Sequence, residues 1–195
     1  MNVRLHYTTD FFAGVYYNQR LLINSYTVNI ELLTLTDNRE AINIAMDRLK
    51  GFIEVELAHT IFVQDTHVDE ILAMDDLGFN LTTLPEIPLD QIVGLMLYCK
   101  LNAIMEGRMI VTSLDISSIA GDRVWYLHEE GEPIGPFADE GWWNDPGPNH
   151  CFDVITTDNV VKVNVGSWSE RGLAWEEDAH DANTVVYANF GQNES

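Results

Sequence analysis

The sequence predicts an α+β fold, with about three helices in the first half packed on a mostly antiparallel sheet built largely by the second half. Apolar residues recur at helical spacing between Asp37 and Glu106. After residue 108, short runs rich in β-branched and aromatic residues alternate with Gly, Asp, Asn and Pro. No low-complexity linker separates the two regions. A single domain over residues 1–190 follows, with a sub-boundary near 113 as the alternative and 191–195 as a polar tail.

Taken in order, Tyr26, Val28, Ile30 and Leu32 alternate with polar residues, which predicts a long strand over Leu21–Leu35. Asp37, three residues before Glu40, predicts an N-cap. Ile42, Ala45, Met46, Leu49, Phe52, Ile53 and Leu57 then predict a helix over about 38–58. Thr60–Val63 reads as a strand, and Val68, Ile71 and Leu72 as a brief helix ending near Gly78. The stretch LTTLPEIPLDQ, with two prolines, reads as an extended connector. A third helix over 89–106, capped by Gly107, is apolar nearly all round, which places it at the centre of the domain or in an oligomer interface. Met109–Leu114, Arg123–His128, Phe152–Thr156, Val160–Val165 and Thr184–Phe190 read as strands, with a hairpin turn at Thr157-Asp158-Asn159.

A chain of 195 residues that is 46% hydrophobic can fill a sizeable core. Its 31 acids against 10 bases give a net charge of −21. The imbalance is steeper after position 113, where 16 acids face 3 bases, than before it, where 15 face 7. Such a field repels phosphate backbones and anionic membranes, so direct nucleic-acid and membrane binding are not expected, whereas a basic or nucleic-acid-binding protein partner is. With only Cys99 and Cys151, no disulfide framework or Cys-based zinc site is predicted. The segment MNVRLHYTTDFF carries no signal-like apolar run, so a cytoplasmic location is expected.

The densest chemistry lies in FADEGWWNDPGPNHC, residues 137–151. Cys151 as a nucleophile with His128 or His150 as base and Asp153 as orienter is disfavoured, because the acidic surroundings would raise the thiol pKa, so no catalytic residue is assigned. His128, His150 and Glu130 are the foremost candidates for a metal, within a wider set of Glu129, Asp139, Glu140 and Asp145, but no established ligand spacing is present. Gly131 and Gly135 lie among Glu132, Pro133 and Pro136 and form no phosphate cradle, so no cofactor is expected. Trp168 and Trp175, with Arg171 between them, could line a groove or anchor one loop. Trp142 and Trp143, flanked by Asp139, Glu140 and Asp145, are the candidate partner-binding residues, because an exposed indole on a shaped loop is a common interaction hot spot.

The combination VNIELLTLTDN, LDQIVGLMLYCKLNAIMEGR, GDRVWYLHEEGEPIGPF and GWWNDPGPNH resembles uncharacterised proteins of T4-like tailed bacteriophages, particularly those infecting cyanobacteria. The resemblance implies a phage-encoded protein of the host cytoplasm, either a virion or assembly component or a factor that binds host machinery, and it assigns no residue a role. The sequence therefore leads to the expectation of an acidic, non-enzymatic interaction protein that binds or inhibits a host nucleic-acid-handling protein. Its 21 net charges would match roughly ten base pairs of DNA if they lay on one face. The alternatives are an assembly subunit joined through helix 89–106, or a small metal-dependent hydrolase using residues 128–153.

Overall fold

A computed structural model describes residues 2–151, 154–155, 160–161 and 166–175. Among these residues the architecture is α+β, with three α-helices and a six-stranded mixed sheet. The chain opens with β1 (Arg4–Tyr17) and β2 (Arg20–Thr34), one antiparallel hairpin closed by Asn18 and Gln19 at φ 50° and 59°. Two consecutive left-handed residues match the twist of the flanking strands, and an Asn in the first position tolerates that conformation. Helix α1 (Arg39–Gly51) follows and is capped by Asn38, one residue after the expected Asp37. Asn38 Oδ1 accepts from the backbone N–H groups of Glu40 and Ala41.

At Phe52–Glu56 the helix widens into a π-helical turn, which places Phe52, Ile53 and Glu56 inside and leaves Val55 exposed. Strand β3 (Ile61–Gln64), helix α2 (Val68–Asp76) and strand β4 (Leu81–Leu84) form a parallel crossover unit. β3 runs parallel to β1, and β4 parallel to β3. Helix α3 (Asp90–Met105) then leads into β5 (Met109–Ser118) and β6 (Tyr126–Glu129), both antiparallel to their neighbours. The strand order is β4-β3-β1-β2-β5-β6.

The sheet is thus mixed, and four of its six strands precede α3. β1 and β4 stand where the sequence suggested no strand. Residues 154–155 (β7) and 160–161 (β8) pair separately as a two-stranded sheet, while the expected turn at 157–159 and the strand at 184–190 lie outside the described residues.

One face of the sheet carries Phe11, Ala13, Val15, Tyr26, Val28, Ile30, Leu32, Leu114 and Ile116 into the core with α1 and α3. The core includes side chains from both sides of position 113. The alternating residues Asp10, Phe12, Ser25, Thr27 and Asn29 lie on the opposite face, because successive strand residues point to opposite sides. A bulge at Thr112 shifts the β2–β5 register, so that Glu31 pairs with Ser113 but Leu32 with Val111.

α3 accounts for its own composition. Covered by β5 on one side and by the loop around Trp142 on the other, it buries Ile92, Val93, Leu95, Met96, Leu97, Leu101, Ile104 and Met105. Its apolar circumference is satisfied within the chain. Gly94 allows the closest approach, since a Cβ there would sit 2.7 Å from Ile116 Cγ2. No helix among the described residues is long and apolar enough to cross a membrane.

Candidate functional site

The loop 137–151 is tied down from within. Phe137, Trp142 and Trp143 are buried in the main core, the two indoles at 6% and 2% exposure. Trp142 Nε1 donates to Thr83 O at 2.9 Å, and Trp143 Nε1 donates to Phe137 O and Asp139 O at 3.1 and 3.0 Å. Lys100, fully buried on α3, donates from Nζ to Trp142 O at 2.9 Å and Asp145 O at 2.7 Å; burial pulls its pKa down to about 7 against the opposing pull of Asp145. Asp145 itself accepts from Gly147 N and Asn149 Nδ2, while Asp139 and Glu140 are exposed. Neither indole is available to a partner, which corrects the expectation of a tryptophan hot spot: an indole whose N–H finds a carbonyl inside the fold gains more by burial than by exposure.

The 168–175 segment closes the other end of the core in the same way. Trp168 Nε1 donates to Pro146 O at 2.6 Å and Trp175 Nε1 to Glu106 Oε1 at 2.7 Å. The Arg48 guanidinium, 2% exposed, lies 3.9 Å from the Trp175 ring centroid and donates to Leu173 O, Ile104 O and Glu106 Oε1. These two tryptophans are anchors rather than the walls of a groove.

The two histidines proposed as metal ligands lie in different surroundings. His150, buried, contacts Asn80 Oδ1 through Nε2 at 2.8 Å, and Asn80 Nδ2 donates to Glu56 O. Because an amide oxygen only accepts, Nε2 carries the proton there. His150 Nδ1 stands 3.9 Å from Glu56 Oε2, and Glu56 also pairs with Arg171. Burial lowers the His150 pKa, with Glu56 opposing. Glu130, the third candidate ligand, is exposed, and its backbone N–H donates to Thr112 O. Among the described residues no three His, Cys, Asp or Glu side chains come together to hold a metal ion, so His128, His150 and Glu130 are not brought together as ligands. Burial pushes the Cys99 thiol up to about 12, which keeps it protonated near neutral pH.

His128 is the residue that stands in a cavity. A cleft of about 320 Å³ opens between α3 and the β5–β6 edge. Its floor is Leu114 and Ile116, one side is Gly94 and Leu95 with Gln91 at the rim, and the other is Tyr126 and His128, with Glu132 and Pro133 closing the end. The rungs explain the floor: Leu114 pairs with His128 and Ile116 with Tyr126, so the polar side chains of β6 stand beside the apolar ones of β5. Gly94 keeps the helix close to that floor without filling the space above it.

The turn after β6 sets Glu132. Gly131 adopts φ 89°, Glu132 N donates to Glu129 O, and Glu132 Oε2 accepts from Glu129 N at 3.2 Å. The same Oε2 stands 3.5 Å from His128 Nδ1. No hydrogen bond joins the two, but the carboxylate favours the tautomer with the proton on Nδ1, in which Nε2 keeps a lone pair. Nε2 is buried and has no hydrogen-bond partner. The Tyr98 ring packs edge-on against the imidazole, with centroids 4.3 Å apart. Burial lowers the His128 pKa, with Glu132 opposing, so the ring is neutral near pH 7. Tyr98, Glu132, Gln91 and Gly94 carried no mark in the sequence; the one available signal was an acid four residues after a histidine at the end of a strand.

No family model matches the chain, and no curated protein is similar to it at a significant level. Solved structures are. The uncharacterized protein WS1659 from Wolinella succinogenes is 12% identical over 67% of this chain and 99% of its own, with a TM-score of 0.49. Two structures of 6-pyruvoyltetrahydropterin synthase from Plasmodium vivax, one a catalytic-residue mutant, are 9% identical over 66% of this chain and 97% of theirs, with a TM-score of 0.42. The expectation of an acidic interaction protein acting through a tryptophan loop is corrected, because both indoles of that loop are packed into the core.

Proposed function

We propose that the protein binds a small organic molecule in the cleft between α3 and the β5–β6 edge, with His128 as its principal polar contact. The observation that carries this reading is the buried Nε2 of His128, which has no hydrogen-bond partner in the chain, on a residue that lines an open cleft. Leaving a buried acceptor unpaired costs about 1–3 kcal/mol, a cost that a ligand donor would remove. In His150 it is Nε2 that is satisfied, by Asn80, and Nδ1 that has no hydrogen-bond partner. The ligand suited to the cleft has an apolar body for Leu95, Leu114 and Ile116 and one hydroxyl or N–H directed to Nε2. With Glu132 at Nδ1, the imidazole can also take a proton from that group.

Phenol and toluene test the reading as matched probes. Phenol is expected to bind with about tenfold higher affinity than toluene, and His128→Phe is expected to abolish the difference. Equal binding of the two probes by the unaltered protein would contradict the proposal.

A further inference from the structure

The sheet face opposite the helices carries a second cleft, of about 430 Å³, built from different residues. Three adjacent strands supply its floor. Asp10 pairs with Thr27 and Thr27 with Ser117 across one rung, and Phe12 pairs with Ser25 on the next. Thr27 Oγ1 donates to Asp10 Oδ1 at 2.6 Å, which fixes the carboxylate and leaves Oδ2 as a further acceptor.

The loop between β5 and β6 makes the wall. Ile119 N donates to Ser25 O and Arg123 N to Ser118 O, which fold the loop back onto the sheet. Asp122 and Arg123 both adopt left-handed backbone, at φ 56° and 59°, and bring Arg123 and Trp125 to the cleft. Val124 N donates to Gly121 O across them, so the pair forms a left-handed two-residue turn like that of Asn18 and Gln19. Trp125 lines this cleft and its neighbour Tyr126 lines the His128 cleft, so the same strand edge feeds both faces.

We propose that this open-face cleft is a second ligand site, for a neutral polyhydroxylated ring of the pyranose class. The chemistry selects that class on three counts. Trp125 in the wall and Phe12 in the floor, 49% and 56% exposed, are aromatic rings of the kind that stack on the C–H side of such a ring. The floor offers what vicinal hydroxyls require: an acceptor at Asp10, a donor at Arg123, and hydroxyls at Ser25 and Ser117 that do either. One acid against one base leaves the lining without net charge, although the chain as a whole carries −21.

The test uses the full-length protein and three methyl pyranosides, those of glucose, galactose and mannose, followed by ¹H–¹⁵N spectra. At least one glycoside is expected to shift the Trp125 indole and the Ser117 and Ile119 amides, with a Kd of order millimolar. Trp125→Ala is expected to weaken it at least about tenfold, and His128→Phe to leave it unchanged, which separates this site from the other cleft. Should Trp125→Ala disturb the fold, Arg123→Gly, which suits the left-handed backbone, replaces it and is expected to weaken binding likewise. No shift with any glycoside, shifts that persist in these variants, or shifts produced by tetramethylammonium in place of the glycosides would overturn the proposal.

Discussion

Lys100 sets the terms at the residue scale. A fully buried ammonium held by two loop carbonyls is expensive to keep charged, and its pKa falls from 10.5 to about 7. Between those values the unfolded chain holds a proton that the folded chain does not, so stability must rise with pH across that window. Lys100→Met is expected to remove that slope, up to about 1.4 kcal/mol per pH unit, when unfolding free energies of the two proteins are compared between pH 7 and 9. Cys99, pushed up from 9.0 to about 12, contributes the opposite slope above that range. Trp142 makes the second residue-scale prediction. Its buried ring and its bond to Thr83 O imply a loss of about 3–5 kcal/mol in denaturant melts of Trp142→Ala.

Among the elements, α3 and β6 decide where the cleft lies. A Cβ at Gly94 would sit 2.7 Å from Ile116 Cγ2, so Gly94→Ala forces a methyl against Ile116 and is expected to destabilise by about 1–3 kcal/mol while shrinking the cleft. Thermal melts and phenol binding read the two effects separately. The elements also show what the sequence makes legible. α1, α2, α3, β2 and β3 follow from apolar periodicity and punctuation, because packing against one core imposes those periods. β1 was hidden because its alternation is broken: Thr9 interrupts the apolar face of Leu5, Tyr7, Phe11, Ala13 and Val15, while Phe12 and Tyr16 interrupt the polar face of Arg4, His6, Thr8 and Asp10. β4 was hidden by its own burial: Leu81–Leu84 is buried on both faces, shows no alternation, and runs straight into Pro85. The cleft was not legible at all, since it exists only where Gly94, Ile116 and His128 meet from three elements.

For the whole molecule, two buried histidines with lowered pKa values make acid the vulnerable side. The unfolded chain takes up protons at His128 and His150 near 6.5, and the folded chain resists until lower pH. Stability should therefore fall as pH drops below about 6.5, and the fall should diminish in His150→Gln, as urea melts at pH 7 and 5.5 would show. Net charge, the most conspicuous global property of the sequence, did not locate a site. The α3–β6 site follows instead from a polar atom that the fold leaves without a hydrogen-bond partner, Nε2 of His128, on a residue that lines the cleft. Nitrogen-15 NMR of the imidazole tests that claim most directly. The account predicts that His128 at pH 7 is neutral, with the proton on Nδ1 and an unprotonated Nε2 whose resonance moves when phenol is added. A proton on Nε2, or an Nε2 resonance that phenol leaves in place, would contradict it.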